Sequence, residues 1–222
     1  MKAMKQEIFD FLSDIEKNNN RVWFAENKQR YENCKENMLI DFKEIYNQLA
    51  ESDALEPMKA YRIYRDVRFS KDKLPYKTNF SMYVGRLQPQ NRGGYYLQIE
   101  PGKSFVGGGF WGPNAEDLLR IREEIALDNE LVQILNEPTF KSFYGEIQGE
   151  SLKTAPKGFD KNHDRIELLR LKQFLFTKSF SDEEVLASDF NRKVVEAFDK
   201  LRPFFEYMSD VLTTNSNGER RF

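Results

Sequence analysis

Residues 94–110 read GYYLQIEPGKSFVGGGF, and this stretch decides the fold class. Two runs rich in β-forming residues, 94–100 and 104–110, flank Pro101-Gly102, a pair typical of a tight turn. Parallel strands need a long crossover, so strands joined by such a short turn pair antiparallel. Ile99 and Phe105 are therefore predicted to lie on neighbouring antiparallel strands.

The strand pattern continues on both sides of this hairpin. From Lys59 the apolar residues recur with a period of two, and the segment 59–69 is predicted as a strand. One face of that strand would carry Arg65 among the apolar side chains of Tyr61, Ile63, Val67 and Phe69. Residues 80–86 (FSMYVGR) are predicted as a second strand and residues 174–180 (FLFTKSF) as a further one. The prediction is an antiparallel sheet of about four to six strands.

Helical periodicity surrounds these strands. Apolar residues on one face predict a first helix, and Asn20 is predicted to cap a long second helix that ends near Glu51. Ser181 and Glu184 form a capping pattern, and Pro203 interrupts the last helical stretch. The first helix would bury Met4, Ile8, Phe11, Leu12 and Ile15.

The whole chain is predicted to be one α+β domain over residues 1–222. Its parts would be a helical N-terminal part (1–56), an antiparallel meander (59–110) and a mostly helical remainder with one further strand (114–222). The long N- and C-terminal helices would pack on the sheet.

Composition bounds the class of protein. Hydrophobic residues make up 40% and aromatic residues 14% of 222 residues, which is enough for a sizeable core. The sequence contains no apolar run of about 18 residues and no signal-peptide core. One cysteine cannot form an internal disulfide. These features predict a cytoplasmic protein without a membrane segment.

Charge is segregated along the chain although the formal net charge is only −2. The first basic segment, residues 59–79, holds seven Lys and Arg against two Asp, and the second basic segment, residues 151–178, holds seven against three acids. Such segments form either ion-pair networks or anion sites, where guanidinium groups bind phosphate or carboxylate. The predicted ligand contacts are Arg62, Arg65, Arg68, Lys71, Lys73, Lys77, Lys153, Lys157 and His163.

Our hypothesis from the sequence is that both segments form one anion-binding surface. The ligand would be a phosphorylated small molecule or a nucleic acid, although the pI of about 5.7 argues against non-specific DNA coating. Tyr64, Phe69 and Tyr76 between the cations suit base stacking, and they suit a strand core equally well.

Candidates for acid–base chemistry are few. His163 is the sole histidine and could act as a general acid or base, whereas Asp160 and Asp164 beside it suit the start of a helix. Asp66 and Glu100 could face each other as paired carboxylates.

Other candidate sites are better explained by structure. The glycines 107–109 lack the P-loop ending and the dinucleotide spacing, so a close-packed strand or bulge is predicted. Cys34 falls on the apolar stripe of a helix and is predicted to be core. The sequence has no His/Cys cluster with metal-ligand spacing, and we expect neither a metal nor a cofactor.

Three blocks of the sequence resemble the domain of unknown function 2461 family. They are YRIYRDVRFSKDKLPYKTNF (61–80), GGYYLQIEPGKSFVGGGFWGP (93–113) and LKTAPKGFDKNHDRIELLRLKQF (152–174), and the segment NNRVWFAENKQRYE (19–32) is similar to the family's opening helix. The resemblance covers nearly the whole chain. It implies one full-length domain and no particular reaction.

Three functions therefore remain open from the sequence. The first is a binding module for an anionic ligand. The second is a phosphoester or nucleotide hydrolase that uses the same cations to stabilise charge. The third is a protein–protein interaction module that presents an aromatic sheet face.

Overall fold

The structure is a computed structural model that describes residues 6–215 and 218–220. Within those residues the chain forms an α+β architecture of ten helices and five strands. The helices are α1 (Gln6–Lys17), α2 (Arg21–Glu26), α3 (Lys28–Ala50), α4 (Ala115–Leu127), α5 (Glu130–Asn136), α6 (Pro138–Tyr144), α7 (Ile166–Arg170), α8 (Asp182–Leu186), α9 (Phe190–Lys200) and α10 (Arg202–Thr213). The strands are β1 (Lys59–Ala60), β2 (Phe80–Gly85), β3 (Gly94–Ile99), β4 (Ser104–Phe110) and β5 (Phe174–Phe180).

The five strands form one antiparallel sheet in the order β1-β2-β3-β4-β5. The β3–β4 hairpin turns at Pro101-Gly102, where Gly102 has a φ of 69° that favours glycine. Gln98 pairs with Phe105 across this hairpin. The predicted fold class, including the neighbouring antiparallel strands that carry Ile99 and Phe105, is confirmed.

The predicted strand over residues 59–69 is wrong beyond its start. Strand β1 ends at Ala60, and the chain then pairs with itself, because Arg65 N donates to Pro75 O (2.9 Å) and Lys77 N donates to Ile63 O (2.7 Å). The resulting ribbon (residues 63–65 and 75–77) rests on the α1–α2 junction. There the Asn19 side chain bonds both backbone groups of Tyr76, at 2.9 and 3.1 Å.

The helices agree with the sequence prediction except at one break. Asn20 caps α2 by accepting from the backbone N–H groups of Val22 and Trp23, but the predicted long helix divides at Asn27 into α2 and α3. The Ser181–Glu184 capping box is present, and Pro203 lies in the first turn of α10. Met4 lies outside the described residues.

One face of the sheet packs against helices and forms the core. Tyr95 contacts Phe198 of α9 and Phe205 of α10, with ring centres 4.9 and 5.1 Å away. Phe176 contacts Phe204 of α10 at 5.0 Å. Because side chains alternate along a strand, the intervening residues point to the opposite face.

That opposite face carries aromatic and polar side chains, and we call it the open face (Tyr61, Ser81, Tyr83, Tyr96, Gln98 and Phe105). Ring contacts join its own members, since Tyr96 lies 6.3 Å from Tyr61 and 5.6 Å from Phe105. Tyr83 is 37% exposed. The open face thus offers a mixed aromatic and polar surface beside the first basic segment.

Candidate anion-binding site

The two basic segments leave the sheet at different corners. Tyr61 N donates to Ser81 O (2.9 Å), so the first segment leaves the β1 edge at the Phe80 end of β2. The second segment runs into β5 at the other edge, and its first residues pair just ahead of that strand, Ser151 with Leu171. The strand register puts these two places at opposite ends of the sheet.

The separation of these corners follows from sheet geometry. Four strand spacings of about 4.8 Å and a strand length of about 20 Å put them roughly 25–30 Å apart. Arg62 follows Tyr61 at the first corner and Lys153 follows Leu152, which pairs with Arg170 ahead of β5, so these two cations leave the sheet at different corners. A role for Lys153 and Lys157 in anion binding stays a prediction about a second, separate surface.

Part of the first segment neutralises itself. Arg68 forms a two-pronged ion pair with Asp66, with the shortest contact at 2.6 Å, and the pKa of Asp66 is lowered mainly by this bond. Arg65 pairs with Asp72 at 2.6 Å. The ammonium of Lys73 donates to the backbone oxygen of Val67 at 2.9 Å. The ion-pair interpretation therefore describes Arg65 and Arg68, while Lys73 is held by a backbone oxygen instead.

Other cations of the same segment form no salt bridge with any described residue. Lys59 and Lys77 lie against one ring, with their ammonium nitrogens 5.2 and 4.9 Å from the centre of Tyr61. Arg62 is exposed and close enough to Lys77 to repel its charge. We call this group the basic corner (Lys59, Tyr61, Arg62 and Lys77). Lys71 is likewise exposed, but it lies in the loop beyond the ribbon.

Lys77 has the most unusual environment of these cations. Its side chain is partly buried, and its pKa is lowered, first by burial and second by the positive charge of Arg62. Both causes disfavour the charged ammonium. An anion bound at the basic corner would relieve the repulsion between Lys77 and Arg62 and favour the ammonium form.

A crevice of about 420 Å³ opens beside the basic corner, between α3 and residues 60–64. Its floor is apolar and is formed by Met38, Leu39, Phe42 and Phe80. Tyr31, Tyr61 and Tyr64 form aromatic walls, and Arg62 lies at its border. Volume and lining are typical of a small-molecule site.

A chain of hydrogen bonds runs along the open face next to the corner. The Tyr96 hydroxyl donates to Gln98 Oε1 (3.1 Å), and Gln98 Nε2 donates to Glu100 Oε2 (2.8 Å). The other oxygen of Glu100 accepts from the Thr78 hydroxyl at 2.7 Å. Glu100 thus accepts hydrogen bonds from Gln98 and Thr78, whereas Asp66 pairs with Arg68. The two carboxylates are therefore not paired with each other.

His163 has a structural role at the far corner. Its Nδ1 accepts from the backbone N–H of Arg165 at 3.0 Å, and its Nε2 faces the backbone oxygen of Ala126 at 3.4 Å. Arg165 bonds the same oxygen and the side chain of Asn129. The ring therefore links the second basic segment to α4, and both of its nitrogens face backbone groups.

The remaining sequence candidates are structural. Glycines 107–109 lie in β4, and Gly109 has a φ of 138° and approaches the backbone of Phe174 closely. Cys34 is buried in the core. Among the described residues, no group of three or more His, Cys, Asp or Glu side chains is arranged to hold a metal ion. None of the described helices combines the length and the apolar character needed to cross a membrane.

Several members of the candidate site were not predicted from the sequence, among them Lys59 and the α3 residues Tyr31 and Lys35 that line the crevice. Lys59 shares its strand face with Tyr61, and that alternation was the signal that could have found it. Tyr31 and Lys35 of α3 carry no such signal, because helical periodicity assigns Tyr31 to the core stripe and shows no crevice beside it.

A family model described as "Conserved hypothetical protein (DUF2461)" matches residues 7–207 of the chain. No curated protein and no solved structure matches the chain significantly.

Proposed function

The chain belongs to the DUF2461 family of conserved hypothetical proteins, and we propose from the geometry that it binds an anionic ligand at the basic corner. A phosphate group of a small molecule is the anion that fits best. The three cations of the basic corner suit one doubly charged phosphate, whereas a nucleic-acid strand needs many cations along its length.

One observation carries this proposal. Lys77 is partly buried, lies against the Tyr61 ring and is repelled by the charge of Arg62, and it has no salt bridge to a described carboxylate. The Tyr61 ring offsets part of the cost through a cation–π contact, but a partly buried charge without an opposite charge nearby remains unfavourable. Binding sites are where such uncompensated charge is common.

The chemistry of binding follows from the groups present. The Arg62 guanidinium can donate two parallel hydrogen bonds to phosphate oxygens, and the ammonium groups of Lys59 and Lys77 add point charges. We also propose a cytoplasmic location, which the single cysteine supports. The hydrolase alternative would need a base at the corner, and no specific contact favours it.

The test is a titration of the protein with inorganic phosphate. Protein-observed NMR monitors the titration, because it can measure weak binding. We expect Arg62→Ala and Lys77→Met each to weaken phosphate binding about tenfold or more, because each removes a charge-assisted contact. Lys71→Ala is the matched control, since it removes an exposed charge of the same segment, and it should change the affinity by less than about twofold. Equal weakening by all three variants, or none by Arg62→Ala, would contradict the proposal.

A further inference from the structure

The crevice beside the basic corner points to the identity of the rest of the ligand. We infer that the bound phosphate belongs to a nucleoside monophosphate whose base enters this crevice. This inference rests on the proposed function, and its test separates the failure of one from the failure of the other.

The shape and the lining of the crevice favour a flat ring. Its volume of about 420 Å³ is at the small end of ligand sites, and its floor of Met38, Leu39, Phe42 and Phe80 is apolar. A ring of base size can bury its faces against such a floor. Ala60 and Tyr64 are exposed and Leu39 is partly exposed in this lining, and a ring in the crevice would cover them.

The aromatic walls are fixed in place before any ligand arrives. Tyr64 packs edge-on against Phe24 at 5.6 Å and contacts Tyr76 at 5.5 Å, yet it is 43% exposed. Tyr31 stacks on Phe80, with an angle of 7° between the rings and their centres 6.2 Å apart. Tyr31 is itself only 4% exposed, so Tyr64 is the wall that offers a stacking surface. A ring held by its neighbours loses little conformational entropy on binding.

The charges around the crevice favour an anion at its border. Lys35 and Glu32 of α3 neutralise each other through an ion pair at 3.0 Å. Arg62 is the remaining charged residue of the lining, and Lys77 adds positive charge beside it. A ligand with an apolar ring and one phosphate matches this division into an apolar floor and a cationic border.

Four probes test the inference by calorimetric titration or, for the weak ones, by NMR. They are inorganic phosphate, ribose 5-phosphate, AMP and adenosine. Ribose 5-phosphate differs from AMP by the base alone, so the ratio of their affinities isolates the contribution of the crevice. We expect AMP to bind about tenfold or more tightly than ribose 5-phosphate, as base stacking on tyrosine requires.

Two variants locate the base. Ala60→Trp places a bulky side chain in the crevice from an exposed strand position, and Tyr64→Leu removes the stacking surface. Each should reduce AMP binding to the level of ribose 5-phosphate and leave ribose 5-phosphate binding unchanged. Ala54→Trp is the matched control, because Ala54 is also exposed but does not line the crevice. Circular dichroism identifies any variant that fails to fold.

The possible outcomes separate the two proposals. Equal affinities for AMP and ribose 5-phosphate would overturn the inference and leave phosphate binding at the corner intact. Equal affinities for AMP and adenosine, or no binding of any probe, would overturn the proposed function itself. Phosphotyrosine is a fifth probe, and tighter binding of phosphotyrosine than of AMP would overturn the choice of a nucleotide.

Discussion

The ammonium of Lys77 lies 4.9 Å from the centre of the Tyr61 ring, and it has no salt bridge to a described carboxylate. We expect Lys77→Met to keep the packing against Tyr61 and to remove a partly buried charge. The free energy of unfolding at neutral pH should therefore equal that of the wild type or exceed it by up to about 1 kcal/mol, while phosphate binding weakens. Urea unfolding measures the first quantity, and the NMR titration measures the second.

The pH dependence of this difference has a defined sign. The pKa of Lys77 is lower in the folded chain than in the unfolded chain, so the unfolded chain holds more protons just below the ordinary lysine pKa of about 10.4. Stability contributed by this group therefore rises with pH. The free energy of unfolding of the wild type should therefore approach that of the Met variant as the pH rises toward the ordinary lysine pKa. A Met variant that is clearly less stable at every pH would show that Lys77 is structural.

The strands of the sheet could be predicted because two independent signals coincide there. Residues 94–110 combine strand-forming side chains with the Pro101-Gly102 turn, and the register follows from both. Over residues 61–77 only the alternation was available. A ribbon that pairs with itself produces the same alternation as a strand of the sheet, and the bond between Arg65 N and Pro75 O distinguishes them only in three dimensions.

The sequence predicted several cations of the candidate site, but it did not predict which of them are paired with acids or where the two basic segments lie. Arg62 and Lys77 were among the predicted contacts. So were Arg65 and Arg68, which form ion pairs with Asp72 and Asp66 in the structure. Sequence gives the number of acids near a cation and does not give the side-chain geometry that pairs them. The separation of the two basic segments depends on strand order and register, which no local pattern contains.

A buried ion pair holds the other end of the sheet. Arg86 Nε lies 2.7 Å from Asp53 Oδ2, both side chains are less than 5% exposed, and the Tyr95 hydroxyl donates to the same oxygen. We expect Asp53→Ala to lower the free energy of unfolding by about 3–5 kcal/mol, because it leaves Arg86 charged and unpaired. The double variant Asp53→Ala with Arg86→Met should lose less. A double variant that loses the sum of both single losses would show that the two residues act independently.

Two glycines three residues apart, Gly109 and Gly112, should differ in how much a substitution by alanine destabilises the fold. Gly109 has a φ of 138°, and a Cβ there would lie 2.0 Å from the backbone oxygen of Phe174. Gly112 has open space around it. We expect Gly109→Ala to lower the free energy of unfolding by more than about 2 kcal/mol and Gly112→Ala to change it by less than about 0.5 kcal/mol. Thermal and urea unfolding measure both, and equal effects would contradict the described path of β4.

Charge reversal tests whether the anion depends on one corner or on the charge of the whole protein. Arg62→Glu and Lys157→Glu change the net charge by the same amount, but their corners are roughly 25–30 Å apart, several times the Debye length of about 8 Å at physiological salt. We expect Arg62→Glu to abolish phosphate binding and Lys157→Glu to leave the affinity within about twofold of the wild type. Both side chains are exposed, so both variants should unfold cooperatively. An equal loss of phosphate affinity in both variants would mean that the anion is held by overall charge or contacts both basic segments. The basic corner would then not be the binding site.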